Sequence, residues 1–116
     1  MHEVALVQAL IEQVEQEIRR ADQRGRVLRL ELHVGRLSGA SPDALRFAFE
    51  VLAPGTLVEQ AELAIVEPRA ECRCRACGVN TPIEELVVAC PQCGSAAITI
   101  DGGRELLLQS IQLEEE

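Results

Sequence analysis

Two cysteine hooks between Cys72 and Gly94 contain the residues of this sequence best suited to chemistry. Cys74 and Cys77 form one C-x-x-C pair, and Cys90 and Cys93 form a second. A glycine follows each pair and lets the chain turn tightly beneath the thiols. Two hooks that face each other supply four sulfur ligands in a tetrahedron, which a structural Zn²⁺ prefers. The spacing therefore predicts a zinc site formed by these four cysteines.

Two disulfides or two redox dithiols are the alternatives to a bound metal. Neither requires a glycine after each hook, and the strand-and-helix pattern typical of a thioredoxin-like motif does not surround them. Cys72 is the fifth cysteine. It can replace Cys74 as a ligand only if the first hook becomes C-x4-C, a poorer match to the second hook. A free thiol beside the site is therefore the favoured interpretation of Cys72.

The composition is that of a small, acidic domain with an aliphatic core. The 116 residues carry a formal net charge of −8, and 47% of them are hydrophobic while only 2% are aromatic. A chain this acidic is not drawn to a phosphate backbone by general attraction. No segment has the apolar length of a membrane span or the pattern of a signal peptide. Thiols in metal-hook spacing then indicate a reducing cytoplasm.

Two amphipathic helices are predicted in the first half of the chain. The first should end near Gly25, and its apolar residues recur at three- and four-residue steps. They are Val7, Leu10, Ile11, Val14, Ile18 and Ala21. The second should begin with Ser41 as N-cap and Pro42 at the first helical position, and should stop before Pro54. Its inner stripe is Leu45, Ala48, Phe49 and Leu52.

Strands are predicted on both sides of the cysteine segment. Residues 26–34 alternate, which predicts a half-buried strand. Its inward residues are Leu28, Leu30, Leu32 and Val34. Short strands should follow at 63–67 and 98–100, the latter before a turn at 101–103, and a final strand at 106–113 should return to the first sheet.

This order of elements predicts an α+β fold. Two helices pack on a small three-stranded sheet, and a zinc-ribbon domain at 69–96 is inserted between two strands. The rest of the chain, 1–68 plus 97–116, forms the main domain.

The sequence at the amino terminus predicts a second metal site, which includes His2. A free α-amine, the backbone nitrogen of residue 2 and the imidazole can close around one ion in fused five- and six-membered rings. This planar, nitrogen-rich set suits Ni(II) or Cu(II) rather than Zn(II). Glu3 can donate a carboxylate oxygen or orient the imidazole. His33, between Glu31 and Arg36, is interpreted as an ordinary surface histidine.

The sequence resembles the HypA/HybF hydrogenase maturation proteins over essentially its whole length. The likeness covers the opening M-H-E, the following V-A-L-V-Q-A-L-I, and L-E-L-H-V-G-R-L-S-G-A-S-P-D-A-L-R-F-A-F-E. It continues through G-T-L-V-E-Q-A-E-L-A-I, the two hooks and the closing L-L-L-Q-S-I-Q-L. The M-H-E start combined with the double hook is specific to this family. Two departures are Cys72 and the absence of an aromatic residue after the first hook.

The resemblance implies a nickel metallochaperone. It implies Ni(II) bound at His2, with Glu3 and the terminal amine, and Zn²⁺ held by Cys74, Cys77, Cys90 and Cys93. It also implies delivery of nickel to the large subunit of a [NiFe]-hydrogenase together with a GTPase partner of the HypB type. We expect no nucleic-acid partner and no membrane insertion, and a monomer or a homodimer.

Two other functions share the double hook. The first is a zinc ribbon that binds nucleic acid or protein without nickel. The net charge, the lack of aromatics for base stacking and the absence of a basic stripe beyond Arg69, Arg73 and Arg75 oppose nucleic acid. The second is a rubredoxin-like electron carrier with iron at the sulfurs, which would colour the protein red. We discern no nucleophile with a base and an orienting group, so an enzyme is not predicted.

Overall fold

The structure is a computed structural model that describes residues 3–23 and 25–114. The two helices are α1 (Glu3–Arg20) and α2 (Pro42–Leu52). The six strands are β1 (Val27–Val34), β2 (Glu62–Val66), β3 (Ala70–Cys74), β4 (Asn80–Ile83), β5 (Ile98–Gly102) and β6 (Leu106–Leu113). No helix among these residues is long and apolar enough to cross a membrane.

The first helix buries four of the six predicted stripe residues, while Ile18 is half-buried and Ala21 is exposed beyond its end, and it ends earlier than Gly25. Its buried residues are Val7, Leu10, Ile11 and Val14. Asp22 takes a positive φ of 51°, and its N–H donates to the Arg19 carbonyl while the Gln23 N–H donates to the Ile18 carbonyl. These two bonds form a Schellman motif, which satisfies the last carbonyls of the helix. The prediction of Gly25 as the stop was wrong because aspartate also tolerates the left-handed conformation.

The second helix begins and ends as predicted. The Ser41 hydroxyl accepts a hydrogen bond from the Ala44 N–H, and Pro42 occupies the first turn. Leu45, Ala48 and Phe49 are buried, and the helix ends at Leu52. α1 and α2 pack against each other, and the buried hydrophobic residues come from both helices and from β1.

The first sheet has the strand order β2-β1-β6, so the final strand does return to it. Leu30, Leu32 and Val34 of β1 are buried as predicted. Leu28 is exposed, however, and Val27 is buried instead. The alternation of buried residues therefore shifts by one position between Val27 and Leu30. A prediction based on strict alternation misses this shift.

The cysteine segment forms a second sheet, with the strand order β4-β3-β5. Both neighbours pair antiparallel with β3, Cys72 lying opposite Thr81 on one side and Ile100 on the other. Ala70, Cys72 and Ile83 form its small core. The turn predicted at 101–103 begins later, because Asp101 and Gly102 still belong to β5.

The chain divides into two compact units. One contains the segments up to Leu32, 40–65 and from Leu107 onward, and the other contains 33–39 and 66–106. The second unit contains β3, β4 and β5 together with residues 33–39, the first two of which are the last residues of β1. The predicted α+β class with two helices is confirmed.

Candidate metal centre

The first hook is the turn between β3 and β4. Cys74 is the last residue of β3, and its carbonyl accepts a hydrogen bond from the Gly78 N–H at 3.1 Å. The Cys74 N–H donates to the Val79 carbonyl at 3.2 Å. Gly78 has a φ of +76°, which a residue with a Cβ rarely adopts. Glycine after the hook therefore brings the chain back into β4.

The second hook repeats this geometry without a preceding strand. The Gly94 N–H donates to the Cys90 carbonyl at 2.9 Å, and the Cys90 N–H donates to the Ser95 carbonyl at 2.8 Å. Gly94 has a φ of +80°. Because the two hooks share a backbone conformation, their four thiols can meet as two equivalent pairs.

The four sulfurs form one cluster. Cys74 Sγ lies 3.6 Å from Cys93 Sγ, and Cys77 Sγ lies 3.8 Å from Cys90 Sγ. All four ligand atoms lie within 4.8 Å of one another, and none is in a disulfide. A tetrahedron with Zn–S bonds of about 2.3 Å has sulfur–sulfur edges of about 3.8 Å. The cluster therefore fits one tetrahedral ion, and the residues predicted from the spacing are those brought together.

Backbone amides set the electrostatics of the first thiol of each hook. The Cys77 N–H donates to Cys74 Sγ at 3.4 Å, and this bond is the main reason that the pKa of Cys74 is lowered to about 6. The amides of Cys93 and then Gln92 lower the pKa of Cys90 in the same way. Because a metal binds the thiolate form of cysteine, the lowered pKa values of Cys74 and Cys90 favour metal binding.

The pKa of Cys93 is shifted in the opposite direction, upward. The Ser95 amide lowers its pKa, but the sulfur of Cys74 and the burial of the site outweigh that amide and raise the pKa to about 12. The pKa values of Cys74 and Cys93 are thus shifted in opposite directions, which favours Cys74 as the thiolate of this pair.

Cys72 lies outside the four-sulfur cluster. Its side chain is 1% exposed and belongs to the small core with Ala70 and Ile83. Burial, followed by the charge of Cys90, raises the pKa of its thiol. Alternation along β3 explains this position, since Ala70, Cys72 and Cys74 are buried while Glu71 and Arg73 are exposed.

The predicted nickel site lies at the edge of the described residues. His2 falls outside them, whereas Glu3 is the first residue of α1. Glu3 Oε2 accepts a hydrogen bond from the Ser41 N–H at 3.3 Å. His33 is half-buried in β1 and belongs to no cluster of metal ligands among the described residues.

The sequence did not reveal Ser41 as the partner of Glu3. In a capping box, a Glu three residues after the N-cap would bond to the N-cap N–H. Ala44 occupies that position, and the carboxylate comes from α1 instead. The sequence S-P-D-A has Ala rather than Glu three residues after Ser41. This absence was the signal that another residue must bond to the Ser41 N–H.

The comparisons with known proteins all match one family, and each match covers nearly the whole chain. Residues 1–113 match the family model HypA, described as hydrogenase/urease nickel incorporation, metallochaperone. The hydrogenase maturation factors HypA of Chlorobium luteolum and Chlorobaculum tepidum are 40% and 38% identical. The alignments cover 100% and 98% of this chain, and 98% and 100% of those proteins.

Two solved structures of HypA proteins also match this chain. The solution structure of the Ni metallochaperone HypA from Helicobacter pylori matches with a TM-score of 0.67, 28% identity and full coverage of both chains. A second solution structure of a HypA protein matches with a TM-score of 0.68 and 27% identity, and covers 100% of this chain and 98% of that one.

Proposed function

Since this chain belongs to the HypA family of nickel metallochaperones for hydrogenase maturation, we propose that it binds Ni(II) at its own amino terminus and delivers it to a [NiFe]-hydrogenase. The ligands are the terminal amine, the backbone nitrogen of residue 2 and the imidazole of His2. Such a nitrogen set favours a planar Ni(II) complex. The likeness to the family begins at residue 1, which supports a functional role for the M-H-E start.

In this proposal Glu3 supports the nickel site rather than supplying its strongest ligand. Its carboxylate is held by the Ser41 N–H at the start of α2. The residue that follows His2 is therefore attached to both helices.

The second metal in the proposal is a structural Zn²⁺ held by Cys74, Cys77, Cys90 and Cys93. The observation that carries it is the four-sulfur cluster, with sulfur–sulfur distances of 3.6 and 3.8 Å in its two closest pairs. Zinc supplies cross-links between the hooks and no redox chemistry. The second unit buries few apolar side chains, so its folding depends on this ion.

The family takes part in hydrogenase maturation. We therefore look for the partners of this chain among the other proteins of hydrogenase maturation. We assign a HypB-type GTPase and the large subunit of a [NiFe]-hydrogenase as those partners, in the cytoplasm. Nucleic acid is not a partner in this proposal, in keeping with the net charge of −8.

Nickel titration of the untagged, zinc-loaded protein tests the proposal. His2→Ala should abolish one-to-one Ni(II) binding and leave zinc content unchanged, while the matched His33→Ala variant should bind nickel as the parent does. One residue added before Met1 should also disrupt the complex and change its visible spectrum, because it moves the amine away from His2. Parent-like nickel binding by His2→Ala would place the metal elsewhere.

A further inference from the structure

Each of the two close sulfur pairs joins an exposed cysteine of one hook to a buried cysteine of the other. Cys93 and Cys77 are exposed, whereas Cys74 and Cys90 are buried. Cys93 lies 3.6 Å from Cys74, and Cys77 lies 3.8 Å from Cys90, measured between their Sγ atoms. A cysteine that reacts with oxidants is typically exposed to solvent and lies beside a second cysteine that completes a disulfide. The four-sulfur cluster contains this arrangement twice.

The backbone of each hook holds the buried sulfur in place for its partner in the other hook. The Cys77 N–H donates to Cys74 Sγ at 3.4 Å, and the Gln92 N–H donates to Cys90 Sγ at 3.4 Å. A disulfide bond is about 2.05 Å long, so the sulfurs of each close pair need to approach by less than about 2 Å. The geometry therefore favours disulfides that join the two hooks.

Disulfides between the hooks also constrain more of the chain than disulfides within them. Cys74 and Cys93 are 19 residues apart, and Cys77 and Cys90 are 13 residues apart. The two cysteines of one hook are only three residues apart. Because the stabilisation by a disulfide increases with the length of the loop that it closes, the longer loops are favoured. Two disulfides between the hooks would replace the cross-links that zinc supplies.

We propose that the four cysteines are a modification site for peroxides, at which oxidation forms the disulfides Cys74–Cys93 and Cys77–Cys90 and releases zinc. The exposed thiolate of a pair attacks one oxygen of hydrogen peroxide, giving a sulfenic acid and a hydroxide ion. The buried thiolate then attacks the sulfenic sulfur, forms the disulfide and expels a second hydroxide ion. Each pair loses two electrons, which one peroxide molecule gains. Since the ligand of a metal is the thiolate, oxidation of the ligands releases the ion.

Cys72 should remain reduced during this reaction. Its side chain is 1% exposed and lies outside the four-sulfur cluster. It is a central residue of β3, where Thr81 and Ile100 are its neighbours on the adjacent strands. Because peroxide reaches exposed thiols first, one free thiol per chain should survive the oxidation of the other four.

Treatment of the zinc-loaded protein with hydrogen peroxide tests the proposal. A chromogenic chelator should detect one zinc ion released per chain, and thiol titration after denaturation should fall from five thiols to one. Dithiothreitol should restore all five thiols and the capacity to bind zinc, because disulfides are reversible. Cys72→Ala is the matched control. It should release zinc as the parent does and retain no free thiol after oxidation.

Peptide mapping of the oxidised, alkylated protein identifies the disulfides. Cleavage after Arg75 and Glu85 places Cys74, Cys77 and the second hook on three separate peptides. Disulfides between the hooks join all three peptides, whereas disulfides within the hooks join only the first two. Fragmentation of the joined peptides should then show Cys74 bonded to Cys93 rather than to Cys90.

Four results would overturn the proposal. They are disulfides within the hooks, a bond from Cys74 to Cys90, loss of the Cys72 thiol together with the others, and zinc retention at peroxide concentrations that oxidise free cysteine. The proposal rests on the zinc site assigned above, which metal analysis before oxidation tests separately. Untreated protein without zinc contradicts that site, while the peptide map still shows which disulfides form.

Discussion

Gly35 and Gly103 touch backbone to backbone. A Cβ on Gly35 would lie 2.2 Å from the Gly103 carbonyl oxygen, nearer than any real side chain can approach. Hydrogen bonds fix this contact, since the Gly35 N–H donates to the Glu105 carbonyl at 2.7 Å and the Leu37 N–H to the Gly103 carbonyl at 2.6 Å. The connection after β1 can therefore pass the connection before β6 only where no side chain intervenes.

Gly35→Ala should destabilise the protein by about 3 kcal/mol, the upper end of the usual cost of overpacking, because two hydrogen-bonded backbones must separate. Thermal unfolding of zinc-loaded protein measures this loss. Gly55→Ala is the comparison, since a Cβ on Gly55 meets nothing within 4 Å and only its positive φ is strained. That variant should lose about 1 kcal/mol. Equal losses would contradict the importance of the contact.

Glu3→Ala should lower stability even without nickel, by about 1 kcal/mol, because the Ser41 N–H loses its acceptor. Glu3→Gln, which keeps an acceptor oxygen, should retain most of that stability. Urea unfolding of nickel-free protein measures both variants. Glu12→Ala, at an exposed position of the same helix, serves as the control and should change nothing. If all three variants match the parent, Glu3 has no structural role.

Cys72→Ala should retain one zinc per chain but destabilise the second unit by about 1 kcal/mol, since it removes a buried sulfur from a small core. Cys72→Ser should cost more, because it buries a hydroxyl among apolar side chains. Cys77→Ala, by contrast, should lose the zinc. Metal analysis and thermal unfolding separate the two effects. Zinc loss in Cys72→Ala would mean that the first hook is C-x4-C.

Zinc binding should release fewer than four protons near pH 7. Cys74, whose pKa is lowered to about 6, is then already a thiolate, whereas Cys93, whose pKa is raised to about 12, holds a proton that zinc must displace. As the pH falls through about 6, Cys74 gains a proton. Zinc must then displace about one more, and its affinity should fall more steeply. Calorimetry in buffers of different ionisation enthalpy counts these protons, and a constant number from pH 5 to 8 would contradict the shift.

The features predicted well from sequence have local causes. The hooks depend on cysteine spacing and a following glycine, and the start of α2 depends on Ser41 and Pro42. Each of these sets its own backbone without help from distant residues. The same holds for the apolar stripe of α1, which reports the helix period directly.

The features missed depend on partners far away in sequence. β3 was not predicted, because its two cysteines were considered only as metal ligands, although their alternation with Glu71 and Arg73 is typical of a strand. Pairing with β4 and β5, which are distant in sequence, completes that strand. Val27 replaces Leu28 inside the core because of the surrounding packing. Glu3 meets Ser41 only after α1 and α2 have packed.

The pairing of β3 with β5 has a kinetic consequence. The register joins Cys74 to Ile98 at its inner end, so the loop that this pairing closes starts at Cys74 and contains the other three cysteines of the hooks. An ion that joins the hooks shortens the free chain that the two strands must bring together, which lowers the entropy cost of closure. Zinc should therefore act before the sheet is complete, and speed its folding as well as stabilise it. Nascent chains that emerge into a zinc-poor cell would then persist longer with an unpaired β3, a strand that other chains can recruit.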